Sequence, residues 1–175
     1  MRKIILYIAS SFNGYIAKPD GSVDWLERIP NPDDNDYGFN ALKESIDTTI
    51  QGNKSYKQII NWGIEFPYKD TTNYVITHNN NLTNNNSVKF ISENHIEFIR
   101  NLKLQNGKDI WLIGGGQVNT FLLHANLIDE IHQFIMPIVL NDGIRIFESL
   151  SDEKSFKIVS TETYLSGVIR VTYTL

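Results

Sequence analysis

The 175-residue sequence contains no cysteine, no block of basic residues and no long apolar run. Without cysteine, the chain cannot form a disulfide, a thiolate nucleophile or a zinc–thiolate site. The net charge of −4 and the lack of a basic block argue against nucleic acid as a partner. No segment approaches the ~20 apolar residues that a helix needs to cross a bilayer, so no membrane partner is expected.

Signal and hydrolase patterns are missing as well. The apolar run from Ile4 to Ile8 is too short for a signal peptide, and Asn13-Gly14 follows in place of a cleavage site of small residues. We therefore expect a cytoplasmic protein. The chain has neither a Gly-x-Ser-x-Gly elbow nor a Ser-His-Asp order, which argues against a hydrolase.

Metal-binding patterns are also absent, and no metal site is expected. His124 and His132 are too far apart in pattern to form a ligand pair, and His95 is expected to be solvated on a helix. The acids at positions 33, 34 and 36 do not follow the EF-hand spacing. This stretch is interpreted as a solvated loop that ends in a helix N-cap.

The most informative stretch joins a strand to a helix through three glycines. The apolar run Ile110–Ile113 is typical of a buried strand, and it leads directly into Gly114–Gly116. A helical spacing of apolar residues follows at Val118, Phe121, Leu122 and Ala125. Free N–H groups at a helix start, approached through glycines, are suited to a phosphate, although a tight strand–helix connection is an alternative. No Gly-Lys-Ser/Thr follows, and Asn119 stands where a Rossmann fingerprint needs glycine.

Two further strand ends carry polar residues. The short strand Thr48–Gln51 ends in Gly52-Asn53-Lys54-Ser55-Tyr56, which opens another helix. The strand Asn73–Thr77 ends in Thr77-His78, where the histidine is either a charged contact when protonated or an ordinary loop residue. Both ends add hydroxyl groups and cations at positions where helices or loops begin.

Strands and helices alternate along the rest of the chain, which predicts one α/β domain over residues 1–175 with a mostly parallel sheet and helices on both faces. The predicted elements are a first strand Lys3–Ala9, a helix from Asp36 to Ser45 that buries Phe39, Leu42 and Ile46, an edge strand Val88–Ile91, a helix capped by Ser92 with Glu93 in its first turn, a strand Glu130–Met136, and an antiparallel hairpin of Phe156–Thr161 and Val168–Leu175.

The glycine motif and its surroundings resemble a known family. Ile113–Val118, with Phe121–Leu123 behind it, resembles the cofactor loop of the dihydrofolate reductase superfamily. The continuation through Leu127–Ile131, Met136–Gly143 and Ile146-Phe147 is similar to one branch of it, the reductase domain of bacterial riboflavin biosynthesis proteins and its stand-alone relatives. The resemblance covers about Ile4 to Phe147. It implies a three-layer α/β/α fold and an oxidoreductase that uses NADPH.

The resemblance also implies where the cofactor is bound. The pyrophosphate is expected at Gly114, Gly115, Gly116 and Gln117, flanked by Ile113 and Val118, with Gly52, Asn53, Lys54 and Ser55 opposite. The nicotinamide is expected against Ala9, Ile16 and Ala17, and the 2′-phosphate against Thr77 and His78. The chain departs from the family pattern at two points. Asn53 replaces the usual Arg, which removes a fixed positive fork, and Phe12-Asn13 replaces Leu-Asp.

The substrate stays open at this stage. The resemblance implies either a pteridine or a phosphoribosylamino-pyrimidine, and Asp36 is the candidate acid, with a helix N-cap as its alternative role. Trp25 is a candidate substrate contact, with a place in the core as its alternative. A non-catalytic nucleotide-binding or dimerisation module is a further alternative, because of Asn13 and Asn53. A homodimer through Val168–Leu175 or its neighbours is expected, with the alternative that the apolar face of this strand covers the core of the monomer.

Overall fold

The computed structural model describes all residues from 1 to 175. The ten strands are β1 Ile4–Ser11, β2 Tyr15–Ala17, β3 Ile46–Gly52, β4 Thr72–Ile76, β5 Lys89–Ile91, β6 Asp109–Gly114, β7 Glu130–Met136, β8 Ile144–Arg145, β9 Lys157–Thr163 and β10 Ile169–Thr174. The four helices are α1 Phe39–Ser45, α2 Asn53–Asn61, α3 His95–Leu104 and α4 Gly116–His124, and a 3₁₀ helix spans Asp24–Arg28.

Eight of the strands form one sheet in the order β5-β4-β3-β6-β1-β7-β10-β9. The neighbours from β5 to β7 are parallel, whereas β10 is antiparallel to both β7 and β9. The predicted parallel sheet with an antiparallel C-terminal hairpin is therefore confirmed. Because the first six strands are parallel, the carboxyl ends of β4, β3, β6 and β1 meet at one edge.

Helices cover both faces of the sheet. Leu122 and Ile99, from α4 and α3, pack on the face that carries Leu6 and Leu112. On the other face, Leu42 of α1 joins Ile5 and Trp111, and Ile59 of α2 joins Val75. The central strands β1 and β6 are buried on both sides, which explains why their sequences are almost continuously apolar.

Two predicted helix boundaries are wrong. Helix α1 begins at Phe39 and not at Asp36, and Ile46 is the first residue of β3. Helix α3 begins at His95 after Asn94, which has a φ of 50° and makes no side-chain capping bond, so Ser92 and Glu93 lie before the helix. His95 is also not simply solvated. It is half-buried, and its Nε2 lies 3.0 Å from the carbonyl oxygens of both Thr77 and Ile91.

A second sheet of two short strands was not predicted. Strand β2 pairs antiparallel with β8, with Ala17 opposite Ile144. Asn13 closes the preceding turn, because its Nδ2 donates to the carbonyl of Leu140 at 2.7 Å and its Oδ1 accepts from the N–H of Leu140 at 3.1 Å. A carboxylate at position 13 could make only the second of these bonds.

Strand β10 is an interior strand of the sheet. It therefore does not offer the unpaired edge on which the expected dimer was based. Its two neighbours are β7 and β9, so the unpaired edges of the sheet belong to β5 and β9. The predicted edge strand at Val88–Ile91 is therefore confirmed as β5. Every residue of β9 is exposed, including Ile158 and Val159 at 56% and 59%. Strand β9 thus offers an unpaired edge that carries two exposed apolar residues.

Candidate functional site

The starts of helices α2 and α4 lie side by side at one edge of the sheet. Strands β3 and β6 are parallel neighbours, with Gln51 paired to Gly114. Strand β3 runs directly into α2, and β6 reaches α4 through Gly115 alone. A Cβ on Gly115 would lie 3.3 Å from Oγ of Ser55, and a Cβ on Gly52 would lie 3.0 Å from Val118. The two junctions, Gly52–Ser55 and Gly114–Val118, therefore face each other. We call them together the glycine edge.

The structure requires glycine for a different reason at each of Gly114 and Gly116, and it places no such requirement on Gly115. Gly114 has a φ of +110°, a conformation that favours glycine, and its peptide bond to Gly115 is cis. A Cβ on Gly116 would overlap the carbonyl oxygen of Arg145. Gly115 is half-exposed and meets only the Ser55 hydroxyl. Folding thus explains Gly114 and Gly116, whereas the only atom near a Cβ on Gly115 is the Ser55 hydroxyl of the facing junction.

The glycine edge can hold an anion through backbone and side-chain donors. The first N–H groups of a helix have no partner within the helix, and its N-terminus carries a partial positive charge. Lys54 and Gln117 are exposed beside these N–H groups, and Ser55 is half-buried between the junctions. Asn53 is half-buried, and its Oδ1 has no hydrogen-bond partner. Two helix starts with a hydroxyl and a lysine suit a pyrophosphate.

The other predicted cofactor contacts flank this edge. Ile113 is half-buried at the end of β6, whereas the side chain of Val118 packs in the core and leaves only its backbone near the edge. Thr77 is buried, and its Oγ1 accepts a hydrogen bond from the N–H of Asn79 at 3.1 Å. His78 is exposed, with its ring 5.4 Å from that of His95.

The predicted nicotinamide contacts come from β1 and β2. Ala9 is half-buried near the end of β1, and Ile16 packs against the core on the α4 side of the sheet. Ala17 is buried, and its carbonyl oxygen lies where a Cβ on Gly143 would be. Ala9 faces the side of the sheet that α1 covers, because it pairs with Phe134 across β1 and β7.

An aromatic face lies on that side of the sheet, below the start of α1. It consists of Tyr7, Phe39, Trp111, Phe134 and Tyr37. The ring of Tyr7 is 4.6 Å from that of Phe134, and its hydroxyl donates to the carbonyl of Tyr37 at 3.2 Å. Burial raises the pKa of Tyr7, so its phenol stays protonated at neutral pH. Tyr7 is two residues before Ala9 and shares its face.

Charged side chains form a chain at the border of the aromatic face. Nη2 of Arg170 donates to Nδ1 of His132 at 3.2 Å, and Nε2 of His132 donates to Glu130 at 3.1 Å. Glu130 is in turn 2.6 Å from the Lys3 ammonium. Burial lowers the pKa of His132, although the bond to Glu130 raises it. Both bonds of this imidazole fit the neutral tautomer with its proton on Nε2.

The two candidate substrate contacts, Asp36 and Trp25, lie where their alternative roles as a helix cap and a core residue would place them. Asp36 is exposed and accepts hydrogen bonds from the N–H groups of Asn40 at 3.0 Å and Gly38 at 2.8 Å. These bonds lower the pKa of its carboxyl, the opposite of a buried acid that keeps its proton. Trp25 is fully buried beside Phe134. The geometry favours a cap and a core residue, and a substrate role for either stays a prediction.

Several residues at the site were not predicted from the sequence. Tyr7 stands in a strand of aliphatic residues, where its hydroxyl was the only available signal. Asn119 and Thr120 are polar residues on the buried side of α4, and both contact the segment after β8. Arg145 is exposed, with its guanidinium 5.1 Å from the centre of the Tyr15 ring.

Comparison with known proteins identifies the family. Residues 2–170 match the RibD C-terminal domain family. The chain belongs to this family. It is 35% identical over 167 residues to the uncharacterized protein YwjB of Bacillus subtilis (strain 168), and the match covers 95% of each chain. The resemblance deduced from the glycine motif is therefore confirmed.

Solved structures agree with this assignment. A putative riboflavin biosynthesis protein from Shewanella sp. PV-4 superposes with a TM-score of 0.88 at 28% identity, covering 99% of this chain and 98% of that one. Dihydrofolate reductase from Enterococcus faecalis, complexed with NADP(H), gives a TM-score of 0.69 at 18% identity and coverages of 98% and 95%. The second likeness confirms the predicted dihydrofolate reductase-like fold. No helix in the structure has the length and apolar character needed to cross a membrane.

Proposed function

We propose that this protein is an NADPH-dependent reductase of the RibD C-terminal type. The observation that carries the proposal is the glycine edge, where two helix starts face each other across Ser55 and Gly115. Membership of the family and the dihydrofolate reductase-like fold support it. The NADP(H) bound to the Enterococcus faecalis enzyme supports NADPH as the cofactor.

The residues of the chain would position the reactants. The pyrophosphate would be held from one side by Gly114–Gly116 and Gln117, and from the other by Gly52, Lys54 and Ser55. Ala9 and the Ile16-Ala17 segment would line the nicotinamide, which supplies a hydride from C4 when bound in its reduced form. Ala9 is adjacent to the aromatic face, so a planar acceptor ring bound there would lie close to that C4 atom.

For the substrate, we propose a phosphoribosylamino-pyrimidine, as in 5-amino-6-(5-phosphoribosylamino)uracil reduction. The family and the Shewanella relative, a putative riboflavin biosynthesis protein, support this class. Arg145, exposed over Tyr15 and with its backbone against Gly116, adds a cation for a substrate phosphate. A dihydrofolate or other pteridine substrate is less well supported, because the exposed Asp36 carboxylate is engaged as a cap.

A cofactor titration followed by a substrate panel tests the proposal. NADPH should bind with a change in its fluorescence, and absorbance at 340 nm should fall when the correct acceptor is added. The panel should include 5-amino-6-(5-phosphoribosylamino)uracil and dihydrofolate. Binding without oxidation across the panel would favour a non-catalytic nucleotide-binding module. No binding of NADPH would contradict the proposal.

A homodimer and a cytoplasmic location remain predictions from the sequence. Strand β9 offers the unpaired edge for a dimer, and its exposed Ile158 and Val159 offer apolar contacts. Light scattering at low micromolar concentration should give twice the mass of the chain. Val159→Lys should reduce this mass to that of a monomer, whereas Val139→Lys, at an exposed residue outside β9, should not.

A further inference from the structure

The segment 144–148 connects the glycine edge to the second small sheet, and we call it the strap. On one side, the carbonyl of Arg145 lies directly against Gly116. On the other side, β8 pairs with β2, and the N–H of Ile146 donates to the carbonyl of Gly14 at 3.0 Å. The strap therefore contacts both Gly116 of the glycine edge and strand β2, which carries Ile16 and Ala17.

Two polar side chains of α4 hold the strap in place. Oγ1 of Thr120 donates to the carbonyl of Gly116 at 2.8 Å and accepts from the N–H of Glu148 at 2.7 Å. Nδ2 of Asn119, which is fully buried, donates to the carbonyl of Ile146 at 2.9 Å. The Thr120 hydroxyl is thus bonded to the glycine loop and to the strap at the same time.

We infer that Thr120 and Asn119 are positioning residues. Through the strap, they couple Gly114–Gly116, which would bind the pyrophosphate, to Ile16-Ala17, which would line the nicotinamide. This inference rests on the proposed function, which assigns Gly114–Gly116 to the pyrophosphate and Ile16-Ala17 to the nicotinamide. The Thr120 hydroxyl is satisfied both as a donor and as an acceptor, whereas Asn119 holds the strap through its Nδ2 alone and its Oδ1 has no partner. Breaking a buried hydrogen bond leaves a polar group without a partner. Loss of the hydroxyl should therefore loosen β2 while the rest of the sheet stays intact.

Hydrogen exchange of the ligand-free protein tests whether the Thr120 hydroxyl stabilises strand β2 through the strap. Thr120→Val keeps the shape of the side chain and removes the hydroxyl, and Thr120→Ser restores it. We expect faster exchange of the amides of residues 15–17 in Thr120→Val, unchanged exchange in β3, and wild-type exchange in Thr120→Ser. Unchanged exchange in β2 would overturn the inference. If the valine variant does not fold, Thr120→Ala serves in its place, because it removes the hydroxyl without adding a methyl group.

Binding of two ligands tests the coupling itself. Adenosine 2′,5′-bisphosphate carries no nicotinamide, so its affinity should change less than about twofold in Thr120→Val. The affinity for NADPH should fall about tenfold, the effect expected for one buried hydrogen bond left unpaired. Equal losses for the two ligands, or no loss for NADPH, would overturn the inference and leave the proposed function intact. A wild-type protein that binds neither ligand would overturn both.

Discussion

The glycine edge and the aromatic face lie next to each other, but they are built in different ways. The glycine edge depends on the backbone, because it consists of two helix starts whose glycines lack the Cβ atoms that would crowd the facing junction. The aromatic face depends on side chains from separate strands and loops, such as Tyr7, Phe134 and Tyr37. A site built from the backbone can be recognised from a short stretch of sequence. A group of side chains from separate strands is brought together only by the order of the strands in the sheet. The first was predicted from the sequence and the second was not.

The largest expected effect contrasts two adjacent glycines of the edge. Gly115→Val should lower the affinity for NADPH by about a hundredfold, about 2.8 kcal/mol, because the new side chain would fill the space expected for the phosphates. Its thermal unfolding should change little, since the only near neighbour is the Ser55 hydroxyl at 3.3 Å. Gly116→Val should instead unfold at a lower temperature, because its Cβ would overlap the Arg145 carbonyl. Normal NADPH binding by Gly115→Val would contradict the assignment of the glycine edge.

A smaller effect concerns the choice between NADPH and NADH. Lys54, at the start of α2, is expected to favour NADPH together with Thr77 and His78, which would contact the 2′-phosphate. Asn53 replaces the family's arginine there. The preference for NADPH should be about fivefold, because an exposed ion pair contributes at most about 1 kcal/mol. Lys54→Gln should lower this preference, and the contacts of Thr77 and His78 should account for the remainder. Lys57→Gln makes the same charge change further along the helix and should leave the preference unchanged. Equal affinities of the wild type for the two cofactors would show that this part of the edge does not recognise the 2′-phosphate.

The elements that could be predicted from the sequence are those whose structure is determined by residues close to them in the chain. The strand–glycine–helix junctions at Gly52 and Gly114 follow from apolar runs and helical spacing within a few residues. The pairing of β2 with β8 could not be predicted, because the strands have only three and two residues and lie about 130 positions apart. The start of α1 was misplaced, because Tyr37 and Gly38 adopt positive φ angles and Asp36 caps from outside the helix.

The same reason explains why the surroundings of His95 and Trp25 could not be predicted from the sequence. The environment of His95 depends on the ends of β4 and β5 meeting at its ring. The burial of Trp25 depends on β7 and the residues before β10, which come more than 100 positions later. Such contacts are set by the order of the strands, and a single sequence gives no direct measure of that order.

The pH dependence of stability is expected to come from the border of the aromatic face. Burial lowers the pKa of His132 in the folded protein, so the unfolded chain binds its proton more readily. The free energy of unfolding should be highest above pH about 6.5 and should fall as the pH drops below it, by at most about 1.4 kcal/mol per pH unit. Protonation of Nδ1 would also break the bond from Arg170.

Denaturant titrations between pH 5 and 8 measure this contribution. His132→Gln can accept from Arg170 and donate to Glu130 but cannot take up a proton, so it should flatten the curve below pH about 6.5. His78→Gln, at an exposed histidine, serves as the control. A variant His132→Gln with the same pH dependence as the wild type would assign the effect to other groups.

The smallest expected effect separates the two roles of Asp36. As a cap, its carboxylate accepts two backbone N–H bonds at the start of α1, so Asp36→Ala should slightly lower the midpoint of thermal unfolding at pH 7. These bonds lower the carboxyl pKa, so the stabilisation is present above the unfolded pKa of about 3.9 and is lost as the pH falls through the lower folded value. The difference between variant and wild type should therefore shrink in acid.

The same variant also measures the catalytic role. If Asp36 only caps the helix, Asp36→Ala should oxidise NADPH at nearly the wild-type rate with the acceptor that the panel identifies. Asp33→Ala, which removes another exposed acid of the same loop, controls for the loss of charge. A large fall in kcat with an unchanged unfolding midpoint would mean that Asp36 donates a proton to the substrate. The start of α1 would then belong to the chemistry of the aromatic face, and its exposed carboxylate would have to change its environment when the substrate binds.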